Sequence, residues 1–289
     1  MIKYNPKNWF GLIFKFHKSD TFRKMIWVLI FMALYSSAIV FVELNYQEQF
    51  GFKSTITIHS LLGFVIGLFL VFRTNSAYDR WWEGRKQWGA MVNNTRNFAI
   101  KINAIAPQET EALSYFQTMV PNYVYAFKEH LRKGVDFNEI TGLNDEEINR
   151  YSEVVHVPNA IAKDLYTKLH ELYRKGIVSG DQLITLDKEL KSFTDILGAC
   201  ERIRNTPIPY SYSMFLKKFI FVYTATMPFG LVFDFGWLTV PITIFVLYVF
   251  GSIEIIAEEI EDPFGMDTND LPTDDLAAKI RANLREILD

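Results

Sequence analysis

The stretch "GFVIGLFLVFRTNSAYDRWWEGR", residues 63–85, decides the fold because its first half suits a membrane and its second half suits water. Everything before Arg73 is apolar or glycine, whereas charged, polar and indole side chains follow it. The 19 residues from Ser54 to Phe72 carry no formal charge apart from the titratable His59. That length lets a helix cross a hydrocarbon core of about 30 Å. We expect one long helix that begins in the membrane and continues into the cytoplasm.

Further apolar runs indicate an all-α integral membrane protein. Hydrophobic residues make up 49% of the chain and 25 residues are Phe, and they are bunched rather than evenly spread. Besides the run that ends at Phe72, uncharged runs occupy residues 25–42, 219–233 and 237–253. These runs predict four transmembrane helices. No cleavable signal peptide is expected, because the first run follows a polar, basic stretch.

Charges outside the runs set the predicted orientation. Six basic residues precede the first run: Lys3, Lys7, Lys15, Lys18, Arg23 and Lys24. One acid, Asp20, accompanies them, whereas the loop from Glu43 to Lys53 has a single base. Basic residues favour the cytoplasmic side, so the amino terminus should be cytoplasmic, and four crossings return the carboxyl terminus there.

The predicted organisation alternates membrane and cytosolic segments. A cytosolic segment, 1–24, precedes transmembrane helices 1 and 2 within 25–76. A helical cytosolic domain, 77–213, follows, because Pro, acid and Gly signals there mark helix starts and stops. Transmembrane helices 3 and 4 lie within 214–257, and a second cytosolic segment spans 258–289.

Enzymes and nucleic-acid binders are disfavoured. The net charge is −3, too small for a nucleic-acid footprint. Phosphate-binding, nucleophile-elbow and zinc-protease motifs do not occur, and the five histidines show no paired metal-ligand spacing. The single cysteine, Cys200, is expected to be a small buried residue.

The membrane half of the opening stretch contains two stripes. Phe64, Leu68 and Phe72 recur at i, i+4 and i+8, so they project from nearly the same side about 6 Å apart. Gly63 and Gly67 form a G-x-x-x-G pattern that permits close helix packing. In a symmetric oligomer the large residues could form stacked rings that gate by dewetting. A stripe that faces lipid or a core has the same pattern.

In the cytosolic half, aromatic residues suggest a contact surface. Trp81, Trp82 and Trp88 are predicted anchors for an interface or subunit contact. Trp81 and Trp82 point about 100° apart, so both cannot face lipid.

At "FRTNSAYDRWWEGRKQWGAMVNNTR" the sequence resembles the bacterial branch of the bestrophin ion channels. "RIRNTPIPYSY" before the third span and "EIEDPFGMDTNDLP" after the fourth are also similar to that family, and all three motifs follow its order. The resemblance covers essentially the whole chain. It implies a homopentamer with a central pore, a transmembrane neck, a cytosolic vestibule and cytosolic termini.

The resemblance also assigns residues. The family's three neck positions fall on Phe64, Leu68 and Phe72. Its narrow cytosolic aperture falls on Ile208, ahead of Pro209, although an ordinary loop hydrophobe would look alike.

The resemblance also implies a candidate calcium site. The positions that hold Ca²⁺ in animal members correspond to Asp262, Met266, Asp267 and Asp270. Met266 replaces a carboxylate, and a thioether is a poor ligand for a hard cation. The three aspartates are therefore candidate Ca²⁺ ligands, with helix capping and solvation as the alternative. No cofactor is required by this interpretation.

The predicted function is a passive channel for small monovalent ions in the inner membrane, with anions such as chloride by family resemblance. The predicted partners are further copies of the chain, membrane lipids and small inorganic ions, but not nucleic acid. Three alternatives remain. They are a monovalent cation (sodium) channel, as thought for some bacterial relatives, a non-conducting membrane scaffold, and a transporter, which Pro241 and Glu254 suggest.

Overall fold

The computed structural model describes residues 20–50 and 54–289, and its regular structure is helical throughout this part of the chain. The helices are α1 (Asp20–Phe50), α2 (Ile56–Ile105), α3 (Thr110–His130), α4 (Asp145–Ser152), α5 (Val157–Arg174), α6 (Gly180–Asn205), α7 (Tyr210–Phe235), α8 (Thr239–Glu261) and α9 (Thr273–Leu288). Short 3₁₀ turns occupy Phe137–Glu139 and Gly236–Leu238. The predicted all-α class is confirmed, and α2 is the single long helix expected from the opening stretch.

The chain divides into two compact units. The apolar unit contains residues 20–80 and Pro207–Glu261, and the polar unit contains Trp81–Thr206 and Asp262–Asp289. Helix α2 contributes its first half to the apolar unit and its second half to the polar unit. The five segment boundaries of the sequence analysis stay predictions, and most of the segment 1–24 lies outside the described residues.

The apolar unit supplies the membrane-length helices. Among the described residues, three helical stretches are long and apolar enough to cross a membrane: Thr21–Tyr46, Ile56–Ile105 and Tyr210–Glu261. The third stretch contains both α7 and α8, which are joined by the 3₁₀ turn that starts at Gly236. Gly236 has a φ of 52°, a conformation that glycine adopts at little cost. Helix α8 packs against α1 and α7 in this unit.

The polar unit has its own hydrophobic core. Its amphipathic helices α3, α5, α6 and α9 bury one face each, and Leu165, Leu169 and Leu172 of α5 are buried as their spacing predicts. Capping boxes start two of its helices, with Asn144 and Glu147 at α4 and Ser179 and Gln182 at α6. These local signals explain why the long polar insertion folds into helices.

This core confirms one sequence-based expectation and contradicts another. Cys200 is fully buried, as expected. Trp88 is also fully buried and stacks on Phe127 with the ring centroids 4.9 Å apart, so the prediction that it anchors a subunit contact is wrong. Trp88 lies on the face of α2 that packs into this core, so its indole is not available to another subunit. Trp82 is 48% exposed, whereas the indole nitrogen of Trp81 donates to the carbonyl oxygen of Asn269 at 3.0 Å.

Candidate functional site

The membrane half of α2 has one packed face and one exposed face. The side chains of Phe64, Leu68 and Phe72 are 70%, 48% and 56% exposed in the single chain. The packed face consists of His59, Ile66, Leu70, Arg73 and Ala77, all of which are buried. At about 100° per residue the two sets lie on opposite sides of the helix. The three predicted neck residues therefore share one face, and the described residues of their own chain, 20–50 and 54–289, leave that face uncovered.

The exposed face changes character along the helix. After Phe72, the residues that continue the same side are Asn75 and Asp79, both exposed. The face is therefore apolar from Phe64 to Phe72 and polar beyond it. Arg73, which begins the charged half of the sequence, does not belong to this face because it is buried on the opposite side.

Helix α7 approaches the packed face of α2 through two glycines. The hydroxyl of Tyr223 lies 2.7 Å from where a Cβ of Gly63 would be, and it donates to the carbonyl oxygen of His59 at 3.1 Å. On α7, a Cβ on Gly230 would collide with Thr55 and come within 3.1 Å of the His59 ring. A Cβ on Gly67 would meet no atom of another helix within 4 Å among the described residues. Gly63 thus has a packing role in the chain, and that of Gly67 stays a prediction.

Arg73 is held by two acids near the end of α8. Its Nε lies 3.4 Å from Oε1 of Glu254, and its Nη2 lies 2.7 Å from Oε2 of Glu261. The side chains of these three residues are 0%, 5% and 14% exposed. A charge removed from water to this degree is tolerated only when it is paired. The ion pairs therefore attach α2 to α8 at the residue where the sequence of α2 changes from apolar to polar.

Ile208, the predicted aperture residue, is connected to the same cluster. It is half-buried and lies two residues before the start of α7. Its backbone N–H donates to Oε1 of Glu261 at 2.7 Å, while the other oxygen of Glu261 contacts Arg73. One carboxylate thus joins the segment that carries Ile208 to the residue that follows Phe72. We call Arg73, Glu254 and Glu261 the Arg73 cluster.

The acidic loop after α8 is closed by its own hydrogen bonds. Asp270 is buried, and its Oδ2 accepts from the backbone N–H of Asp267 at 2.6 Å. Asp262 and Asp267 are exposed, and the three carboxylates are not among the described groups that bring three ligand atoms within 4.8 Å of one another. Within one chain the structure thus gives Asp270 a turn-stabilising contact. The calcium role of the three residues stays a prediction.

Comparison with known proteins gives the family. A family model described as Bacterial/Fungal Bestrophin protein matches residues 1–286 of this chain. The chain belongs to the bacterial and fungal bestrophin family. The resemblance stated from three sequence motifs is therefore confirmed.

Individual bestrophin relatives match over nearly their whole length. The voltage-dependent anion channel-forming protein alr2987 of Nostoc sp. is 32% identical, with 97% of this chain and 92% of that protein covered. The voltage-dependent anion channel-forming protein YneE of Escherichia coli K12 is 30% identical, with 100% and 94% covered. A crystal structure of a bacterial bestrophin homolog from Klebsiella pneumoniae has a TM-score of 0.85 at 29% identity, with 91% of this chain and 98% of that chain covered. The chain is a multi-pass membrane protein of a bacterial channel family and not an enzyme.

The Arg73 cluster is the feature of this bestrophin that the sequence analysis missed. From the sequence Arg73 has no expected partner, and Glu254 suggests a transporter. In the structure Glu254, at the end of the fourth apolar run, forms an ion pair with Arg73, at the end of the second. The available signal was one isolated charge of each sign at the edges of two apolar runs.

Proposed function

We propose that the protein forms a pentameric anion channel of the inner membrane that crosses the bilayer four times and has both termini in the cytoplasm. Phe64, Leu68 and Phe72 line its neck, and Ile208 forms its cytosolic aperture. One observation carries the proposal. The three neck side chains are exposed together on the face of α2 opposite to the one that packs in its own chain.

Exposure alone does not distinguish Phe64, Leu68 and Phe72 from residues that face lipid. The residues that follow them along α2 are also needed. Helices α1 and α8 also expose large apolar residues, such as Trp27, Leu34 and Phe245, which are suited to lipid. The α2 stripe differs because it continues into the exposed polar residues Asn75 and Asp79. The family resemblance independently assigns the neck to these three residues. A pore that widens into an aqueous vestibule needs this order of apolar and then polar lining.

The proposed neck works as a hydrophobic constriction. Repeated around a symmetry axis, Phe64, Leu68 and Phe72 form three apolar rings about 6 Å apart. An apolar ring gives an ion no replacement for its hydration shell, so a narrow neck dewets and blocks conduction, and a slightly wider one conducts. The neck lining carries no charge that would favour either sign. The proposed preference for anions is supported by the relatives, which are described as anion channel-forming proteins.

The Arg73 cluster supports a positioning role for Glu261 in this channel. One of its oxygens holds the backbone of Ile208 and the other pairs with Arg73, directly after Phe72. The Glu261 carboxylate therefore links the residue that follows the neck to the aperture segment. We infer that the two constrictions move together.

Reversal potentials across asymmetric NaCl in a reconstituted bilayer test the proposed selectivity. We expect the reversal potential to have the sign of the chloride equilibrium potential. The opposite sign would identify a cation channel, and no shift in a conducting bilayer would exclude both selectivities.

Leu68→Ala tests the neck assignment. We expect a larger current or altered gating, because the variant widens the middle ring. Leu34→Ala is the matched control, since Leu34 is 69% exposed on α1 and has no place in the proposed pore. Equal currents in the two variants would contradict the assignment, and no current in any form would favour the scaffold alternative. A monomeric mass by size exclusion with light scattering would exclude a central pore.

A further inference from the structure

Two histidines and a glutamate converge in the polar unit, whereas the proposed pore residues belong to the apolar unit. His130 is the last residue of α3, His156 precedes α5 as its N-cap, and Glu201 lies on α6. The Nε2 atoms of His130 and His156 lie 2.7 Å and 2.9 Å from the same oxygen, Oε1 of Glu201. The two imidazole ring centroids are 4.4 Å apart. Three segments that are distant in sequence thus place two imidazoles on one carboxylate.

These side chains are the ligand types that a borderline transition-metal ion prefers. Zn²⁺ binds imidazole nitrogen and carboxylate oxygen at about 2.0–2.2 Å, so tetrahedral ligands lie roughly 3.3 Å apart. The three ligand atoms lie within 4.8 Å of one another, and the hydrogen-bonded pairs need to separate by only about half an ångström to admit the ion. The side chains are 24% to 29% exposed, which leaves room for solvent to reach the site. We propose that His130, His156 and Glu201 form a zinc-binding site whose fourth ligand is water.

The charge of the carboxylate favours this site. Partial burial opposes ionisation of Glu201, but hydrogen bonds from His156 and His130 outweigh it and hold the pKa of Glu201 below its ordinary value. The carboxylate of Glu201 is therefore ionised at neutral pH.

Proton positions set a cost for zinc binding. Each Nε2–H now donates to Glu201, so coordination through Nε2 requires its proton to move to Nδ1 by exchange with solvent. The Nδ1 of His156 accepts a hydrogen bond from the backbone N–H of Asn159 at 3.2 Å. Zinc therefore displaces this N-cap bond of α5. The site should bind more weakly than a preformed structural zinc site, and its occupation should be visible at the start of α5.

The other carboxylate-rich cluster of the polar unit does not share these properties. Glu129, Glu139 and Asp274 also bring three ligand atoms together. The ammonium group of Lys128 already lies 3.0 Å, 2.6 Å and 2.7 Å from their oxygens. That cluster is neutralised by a lysine, whereas the contacts of Glu201 Oε1, in the part of the chain that the structure describes, are the two imidazoles.

Zinc titration of the purified full-length protein tests the proposal without reference to ion conduction. With ZnCl₂ and a competing zinc indicator, we expect one specific site per chain. The variants His130→Gln, His156→Gln and Glu201→Gln should each weaken it by about tenfold or more, because even an outer-shell partner contributes that much. His170→Gln is the matched control, since His170 is an exposed histidine of α5 outside the cluster, and it should leave the affinity unchanged.

A spectroscopic measurement guards against variants that fail to fold. Co²⁺ bound to the wild-type protein should give the visible absorption of a tetrahedral or five-coordinate site, and the three variants should lose it while they keep the elution volume of the wild type. The proposal is overturned if the wild-type protein takes up no zinc at sub-millimolar concentrations. It is also overturned if His170→Gln weakens binding as much as the three cluster variants do. Because conduction is not measured, the result is independent of the proposed channel function.

Discussion

Replacement of Arg73 by Met should destabilise the apolar unit far more than any exposed basic residue would. The substitution keeps an unbranched apolar stem but removes the partner of Glu254 and Glu261, whose side chains are 5% and 14% exposed. Removal of one member of a buried ion pair costs about 3–5 kcal/mol, because the remaining charge is left buried without compensation. For a chain of this size each kcal/mol lowers the melting temperature by about 2–4 °C, so we expect a decrease of roughly 10 °C.

The assay for Arg73→Met is thermal unfolding in detergent, followed by tryptophan fluorescence and by the loss of the size-exclusion peak. Lys86→Met is the matched control, because Lys86 is 56% exposed and pairs with Glu83 at 2.5 Å on the same helix. An exposed i,i+3 ion pair on a helix is worth only about 0.2–0.5 kcal/mol. The double variant Arg73→Met with Glu254→Gln should recover part of the loss, since it no longer leaves Glu254 as an unpaired buried carboxylate. Melting temperatures of Arg73→Met and Lys86→Met that agree within error would refute the reasoning.

Two further predictions concern helix packing and pH. Gly230→Ala should destabilise the protein by about 1–3 kcal/mol, because the new Cβ collides with Thr55, whereas Gly198→Ala, with open space around it, should be neutral or stabilising in the same melting assay. Asp274, at the start of α9, accepts from Arg132 and Lys128, and the Arg132 guanidinium is the main cause that holds the pKa of Asp274 well below its usual value. Its contribution to stability is therefore complete at neutral pH and declines as the pH falls below about 4, the pKa of an unfolded aspartate. The melting-temperature difference between wild type and Asp274→Asn should shrink as the pH falls below about 4. Asp145→Asn is the control, because Asp145 is an exposed first-turn acid of α4, and its difference from wild type should stay small at every pH. A pH-independent difference for Asp274→Asn would contradict the ion-pair argument.

The sequence predicted the helices well because their signals are local. Run length and lack of charge marked the apolar segments, and Ser179 and Gln182 or a spaced series of leucines marked the polar helices. These signals need no knowledge of the partner element. The same locality explains why the position of Trp88 was misjudged, since its burial depends on Phe127, which is far away in sequence.

The candidate site was predictable only in part for the same physical reason. The stripe of Phe64, Leu68 and Phe72 follows from helix period alone. The choice between a core and an exposed face requires knowledge of which side of α2 its neighbours cover, and the structure supplies it through the burial of Ile66 and Leu70. The pairing of Arg73 with Glu254 joins residues 181 positions apart, and periodicity carries no information about such a pair.

The Arg73 cluster also changes how charge is distributed along the proposed pore. In sequence, Arg73 is the first charged residue after the apolar run and directly follows Phe72. In the structure its guanidinium is buried on the far side of the helix and offset by two carboxylates. The exposed face stays uncharged through Asn75, and its first charge is the acid Asp79. From Phe64 to Asp79 this is about 22 Å of helix without a fixed charge on the proposed lining face. A preference for anions in the proposed channel therefore cannot come from Arg73, and it has to arise at the mouths of the pore or from oriented backbone dipoles.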